Sequence, residues 1–435
     1  MRKKILVLGN GFDLAHGLPT KYSDFLVFAE CAMAIYTYAE KPGAVKKFVD
    51  TLFLQWELSA PSTSARIFLK EKLCALFKNM VEKAMSVADN PCEKMTSFSA
   101  NDRWDLFHDY LEKNIWYEYI KTLFAKEKTR GENWIDFESE ISFIIERLDN
   151  DSNMSTHYLD NFQKRYNDDE TIDDFKEKIN LFVKACGRCC IGNEYNAIRT
   201  LTLDALREKL YGDLEKFILA FEIYLTDIIY DIPIDNTILA IKKIDPDFII
   251  SFNYTDTYER YYMNEKTREQ RKVCHIHGTC VKNRNPEEND MVLGIDEYLP
   301  EEQRTKRVDY CLFKKFVQRI RKHNDVSYAS WANEVEKRGK ETVVPLSVMD
   351  EDAILAGETD NNTDIYIYGH SLDVTDKDIL QRFLISDFTY IHIFARNKVA
   401  EGKLISNLIR ITDVDTIIKK STTNPPKLEF LLSST

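Results

Sequence analysis

The sequence predicts an α/β protein with a parallel sheet, interrupted after its first strand by a large all-helical insertion. Three observations carry this. Ile5-Leu6-Val7-Leu8 is an apolar run without alternation, as expected of a strand buried on both faces. From about Tyr22 to about Ile232 the pattern is helical. After Pro246 strand patterns return and alternate with helical ones, the signature of parallel strands joined by crossover helices.

In the helical block, Leu206, Leu210, Leu214, Phe217, Phe221 and Leu225 recur at three- and four-residue spacing and predict one long amphipathic helix. Phe68, Leu73, Leu76 and Met80 predict another. Asn133 is placed to cap a third, with Asp136 and Glu138 in its first turn, where the helix dipole favours acids. In the second half, strands are expected at Phe248–Phe252, Val273–Ile276, Met291–Ile295, Ile365–Tyr368 and Tyr390–Ala395. Helices are expected at Val308–Ile320, Asp376–Phe383 and Lys398–Ile409. The α/β core is thus assigned to residues 1–25 and 237–435, with helices on both faces of its sheet. The insertion takes 26–236, and a polar, weakly patterned surface excursion lies near 324–362.

The chain has 435 residues, 44 % of them hydrophobic, so it can bury a large core. A net charge of −12 argues against general nucleic-acid binding, which draws on Lys and Arg facing phosphates. No run of eighteen apolar residues occurs, so no membrane span is expected. The basic Met1-Arg2-Lys3-Lys4 start imitates a signal peptide, but its apolar run is too short. A cytoplasmic protein with reduced thiols is the reading. Cys186, Cys189 and Cys190 hold one C-x-x-C with no second C-x-x-C; Cys274 and Cys280 are the only other close pair. Plain buried thiols are favoured over a zinc site that mixes the two groups, so no metal is predicted.

Four strand ends carry chemistry. The first is Gly9-Asn10-Gly11-Phe12-Asp13. Its glycines permit close backbone approach to a ligand, and its amides can form an anion-binding nest. The rival reading is a tight turn with Asp13 as a helix cap. Leu14 stands where the dinucleotide fingerprint has its third glycine, so hydride transfer is not indicated. The second is Asn253-Tyr254-Thr255-Asp256. Asn253 can orient a sugar hydroxyl or a water; alternatively Asn253 or Thr255 caps the next helix, with Asp256 and Glu259 in its first turn. The third is His275-Ile276-His277-Gly278. His277 is the candidate general base, and His275 reads as a core residue. The fourth is Gly369-His370-Ser371, a second place for phosphate or ribose contacts.

Together these segments resemble the AbiH family of bacteriophage abortive infection proteins. The resemblance rests on Gly9 to Thr20, Trp134-Ile135-Asp136-Phe137-Glu138, Phe252-Asn253-Tyr254-Thr255, His277-Gly278 and Tyr368-Gly369-His370-Ser371-Leu372. More distantly they are similar to sirtuin-like NAD-binding domains: Gly9, Gly11, Gly17, Leu18 and Pro19 keep the spacing of their glycine turn. This second resemblance implies a sirtuin-like, Rossmann-like sheet that takes NAD as substrate or ligand. In it Asn253 orients the nicotinamide ribose or a water, and His277 is the base. Gly9, Asn10, Gly11, Phe12, Asp13, Asp256, Gly369, His370 and Ser371 are then the expected cofactor contacts. Thr20-Lys21-Tyr22 departs from the deacylase pattern and no four-cysteine module is evident, so cleavage of NAD is expected rather than protein deacylation. The first resemblance implies phage defence, with a phage-derived trigger. An NAD or ADP-ribose sensor without catalysis is the rival function, and a nuclease is the third. The expected partners are a small-molecule nucleotide and that trigger, and a homo-oligomer is left open.

Overall fold

The computed structural model describes residues 2–38, 71, 103–129, 136–150, 158–168, 173–190, 202–234, 236–304, 306–341 and 361–432. The chain divides into two compact units. One is Met1–Leu18, Ile234–Cys280 and His323–Thr435; the other is Pro19–Pro233 and Val281–Lys322. The inserted unit thus begins at Pro19, and it also recruits a second segment, which the sequence pattern had assigned to the α/β core.

The first unit is built on six parallel strands: β1 (Lys3–Leu8), β2 (Phe248–Ser251), β3 (Lys272–His275), β4 (Thr363–Tyr368), β5 (Thr389–Ala395) and β6 (Leu428–Leu432). Their order is β3-β2-β1-β4-β5-β6, the doubly wound, Rossmann-like arrangement, which reverses direction between β1 and β4. The unalternating run of β1 is explained directly. Ile5 and Val7 enter one core with Ile250, Ile365 and Ile391, while Leu6 and Leu8 enter another with Ile249 and Tyr368. Helices cover both faces. On the first lie Ser327–Glu341, Lys377–Leu384 and Lys398–Ile411. On the second, short helices deliver Phe12, Ile241 and Tyr258.

Three expectations are corrected here. Met291–Ile295 is buried but is not a strand. The Gln318 side chain accepts from Leu293 N at 3.1 Å and donates to Leu293 O at 3.0 Å, satisfying backbone groups that would otherwise need a neighbouring strand. The excursion near 324–362 holds the helix Ser327–Glu341, which buries Tyr328, Trp331, Ala332 and Val335 in the first core; residues 342–360 lie outside the described residues. Finally, β6 was not anticipated, because only Leu428 of its five residues is buried and the run lacks a core-strand pattern.

In the second unit, the periodicity of Leu206 to Leu225 forms the helix Leu203–Tyr224 and a following π-helical turn, Leu225–Ile229. Thr202 caps the helix by accepting from Ala205 N at 3.2 Å. Phe217 stacks on Phe137 with ring centroids 4.3 Å apart. The helix Phe137–Asp149 is capped by Asp136, which accepts from Ser139 N at 3.1 Å. Asn133 and the stretch with Phe68, Leu73, Leu76 and Met80 fall outside the described residues. Glu138 pairs with buried Lys315 at 2.6 Å, which gives the Asp136–Glu138 element a structural role.

Two glycines interrupt helices without a packing reason. A Cβ added at Gly212 or Gly402 would meet nothing within 4 Å. Gly402→Ala is therefore expected to raise stability by about 0.5–1 kcal/mol, the helix-propensity difference, read as a higher urea midpoint. A lower midpoint would show that position 402 needs glycine.

Candidate functional site

All the strand-end candidates belong to the first unit and sit at the carboxyl ends of β1, β2, β3 and β4. In open parallel sheets ligands bind there, next to the reversal of strand order. At that reversal the loops after β1 and β4 close on each other. Gly9 N donates to Tyr368 O at 3.1 Å, Gly11 N to Gly369 O at 2.8 Å and Phe12 N to Gly9 O at 2.8 Å. A Cβ on Gly11 would stand 2.7 Å from Gly369 Cα. The glycines therefore serve the approach of backbone to backbone. The expected anion nest is corrected accordingly, because the amides of Gly9, Gly11 and Phe12 are already used.

Of the β1 loop residues, Asn10 is exposed at the helix start and makes no side-chain cap bond. The Phe12 ring is core, packed among His16, Tyr258, Tyr262 and Tyr368. Asp13 is not the cap; it lies in the first turn of the helix Gly11–Ala15 and is 1 % exposed. The Thr255 hydroxyl donates to Asp13 Oδ2 at 2.6 Å, so Thr255 holds Asp13 instead of capping the following helix. The other oxygen, Oδ1, is buried without a hydrogen-bond partner. Burial pushes this carboxyl up to about 6; the Thr255 and Thr257 hydroxyls only partly oppose it, and Asp256 and Glu259 add repulsion. His16 anchors the loop from behind, with Nδ1 2.7 Å from Phe12 O and Nε2 2.8 Å from Tyr262 Oη.

Asn253 is 5 % exposed, and its Oδ1 also lacks a hydrogen-bond partner. Its backbone is fixed at both ends: its N–H donates to Ser251 Oγ at 3.2 Å, and its carbonyl lies 3.2 Å from His275 Nδ1. His275 Nε2 is 2.6 Å from Glu259 Oε1. Burial alone would lower this imidazole, but the Glu259 hydrogen bond and charge, with the Asn253 carbonyl, outweigh it and hold His275 above its usual value. His275 is thus a satisfied imidazolium that braces the Asn253 loop. Asp256 is half-buried, with Arg260 at 4.0 Å, and burial raises its carboxyl.

The remaining histidines converge on a residue that sequence reasoning placed only at a helix start. His277 Nε2 lies 3.3 Å from Asp376 Oδ1, and His370 Nε2 lies 3.3 Å from Asp376 Oδ2. His370 Nδ1 accepts from Leu372 N at 2.9 Å, so its proton is on Nε2, facing the carboxylate. The Phe252 ring contacts both, 5.6 Å from His277 and 4.3 Å from His370. Local backbone is special here: Gly278 has φ 77, and buried Leu372 is held at φ 56, a conformation that costs a non-glycine residue about 1–2 kcal/mol. Ser371 is exposed, and its carbonyl accepts from Asn407 Nδ2 at 3.0 Å. The signal that could have revealed Asp376 was its place six residues after the strand-end His370, at the start of the next helix.

The set offers a histidine whose Nε2 lies within ion-pair distance of a carboxylate, an amide oxygen and a buried carboxylate with open acceptor capacity. Such a set suits proton transfer beside a hydroxyl-bearing or cationic ligand. Among the described cysteines, Cys186 and Cys189 are buried, and burial pushes both thiols up, Cys189 to about 12, which makes them poor nucleophiles. Among the described residues no helix is long and apolar enough to cross a membrane.

Residues 5–390 match the model of the bacteriophage abortive infection AbiH family. The chain belongs to that family. Membership establishes a role in abortive-infection defence against phage. It covers both units, so the helical insertion is part of the AbiH pattern rather than an addition to it. No curated protein and no solved structure matches the chain.

The state of Asp13 makes a testable electrostatic statement about this AbiH-family site. The unfolded chain titrates this carboxyl near 3.8 and the folded chain near 6. The folded state therefore holds the extra proton between those values, and stability falls as pH rises through this window. The rise corresponds to about 3 kcal/mol withheld at neutral pH. Asp13→Asn is expected to stabilise the fold by roughly that amount near pH 7 and by little near pH 4, measured by denaturant melts at both. Equal effects at the two pH values would contradict the assignment.

Proposed function

We propose that the protein carries out its defence role by hydrolysing the nicotinamide–ribose bond of NAD. The supporting observation is the pair of buried acceptor oxygens without hydrogen-bond partners, Asp13 Oδ1 and Asn253 Oδ1, in the same unit as His277, whose Nε2 lies 3.3 Å from Asp376 Oδ1. Cleaving this bond builds positive charge on the ribose, as in glycoside hydrolysis, and the nicotinamide ring is itself cationic until it leaves. Asp13 supplies negative charge for that transition state. Asn253 accepts from a ribose hydroxyl or the attacking water, and His277 takes the proton from that water while Asp376 orients the ring. The C1′–N bond breaks, its electron pair neutralises the departing nicotinamide, and the water oxygen joins C1′.

Purified protein is expected to release nicotinamide from NAD, and the NAD pool of expressing cells is expected to fall on phage infection. Asn253→Ala should abolish both. Release that persists in Asn253→Ala, or calorimetric binding of NAD without turnover in infected-cell extract, would overturn the catalytic reading; the second outcome would favour a sensor.

A further inference from the structure

We infer that the site recognises its substrate through a cationic riboside and not through phosphates, so that compounds lacking the pyrophosphate are also substrates. The inference rests on the proposed hydrolysis and specifies its substrate class.

Two independent observations carry it. The first concerns what is missing for an anion. The amides of Gly9, Gly11 and Phe12, which would line a phosphate loop, donate to Tyr368, Gly369 and Gly9 carbonyls. A glycine turn whose amides point into its own backbone has no nest to offer. The groups acting on Asp13 are two hydroxyls and two further acids, Asp256 and Glu259, and no Lys or Arg is among them. His275 and Arg260 are already engaged by Glu259 and Asp256, so a pyrophosphate brought beside Asp13 would meet a carboxylate whose own shift owes nothing to a Lys or Arg.

The second concerns what is left open. On the β1 loop and the segment after β2, Asp13 Oδ1, Asn253 Oδ1 and Glu259 Oε2 are buried without hydrogen-bond partners. All are acceptors when the acids are ionised. They are joined through short links, since Thr255 ties its loop to Asp13 at 2.6 Å and His275 lies between the Asn253 carbonyl and Glu259. Buried acceptors left unpaired are costly, and the ligand that satisfies them presents donors or positive charge. The diol of a ribose and a pyridinium ring supply both, whereas a phosphate supplies neither.

The test compares NAD, nicotinamide mononucleotide and nicotinamide riboside as substrates, with ADP as competitor. The riboside is expected to be cleaved with a kcat/KM within about tenfold of that for NAD, and ADP to inhibit at least a hundredfold more weakly than NAD binds. Asp13→Asn, which folding measurements should show to be intact, is expected to lose at least tenfold in affinity for the riboside while its weak ADP binding is unchanged or improved. Cleavage of NAD without cleavage of the riboside would overturn the inference and leave the hydrolysis standing. If no compound is cleaved, the hydrolysis fails, and calorimetry decides the inference: binding of the riboside supports it, and binding of ADP alone overturns it.

Discussion

His277→Ala is expected to lower the rate of nicotinamide release about a thousandfold, the middle of the range for losing a positioned general base. Asp376→Asn should cost about a hundredfold or more with little change in KM, because an amide leaves the ring in place but removes the charge that stabilises the imidazolium. Geometry underlies the second expectation: Asp376 presents one oxygen to His277 and the other to His370, each at 3.3 Å. A purely structural role predicts the reverse pattern, a loss of folding with kcat intact in the surviving fraction. His370→Gln separates the two histidines. The wild-type His370 holds Asp376 from the far side, so the variant should shift the pH profile and lose less rate than His277→Ala. Equal losses in both variants would mean that the base has been assigned to the wrong ring.

The second large effect is on folding. Gly369→Ala is expected to destabilise the α/β unit by about 4 kcal/mol or more, in the exceptional range for single substitutions. Two costs add. Gly369 has φ +70, where an L residue is strained by about 1–2 kcal/mol. Its added Cβ would also stand 2.3 Å from Phe12 N and 2.5 Å from Gly11 C, which are backbone atoms with nowhere to yield. The variant should be insoluble or melt well below wild type. Since Gly402→Ala is expected to stabilise, the pair tests whether close backbone approach at the switch point, and not glycine as such, is required. A Gly369→Ala protein with an unchanged melt would mean that the two loops are not in contact.

Much of this was legible in the sequence because it depends on local pattern. β1, β2, β4 and β5 were visible as apolar runs, and the helix Leu203–Tyr224 as a period of three and four. Asn253, His277 and His370 stood out because polar residues directly after buried strands have few structural uses. What failed locally failed for a physical reason. Met291–Ile295 has the composition of a strand, but its backbone groups are met in part by Gln318, a partner 25 residues away. The helix Ser327–Glu341 was hidden by its polar face, although Trp331 and Val335 are core.

The sequence alone determined the family, the parallel α/β class and which strand ends carry polar candidate residues, since these follow from motif and periodicity along the chain. Only the tertiary structure decided what the glycines are for and which acid serves which histidine. Gly11 meets Gly369 across 358 positions of chain, and Asp376 reaches His277 across 99. No periodicity encodes such meetings; they arise when a sheet order of β3-β2-β1-β4-β5-β6 brings four strand ends side by side. That same juxtaposition explains Asp13. An anion beside a glycine turn is unfavourable if the turn binds phosphate, and becomes intelligible once the turn's amides are spent and a buried carboxylate is left facing a need for donors.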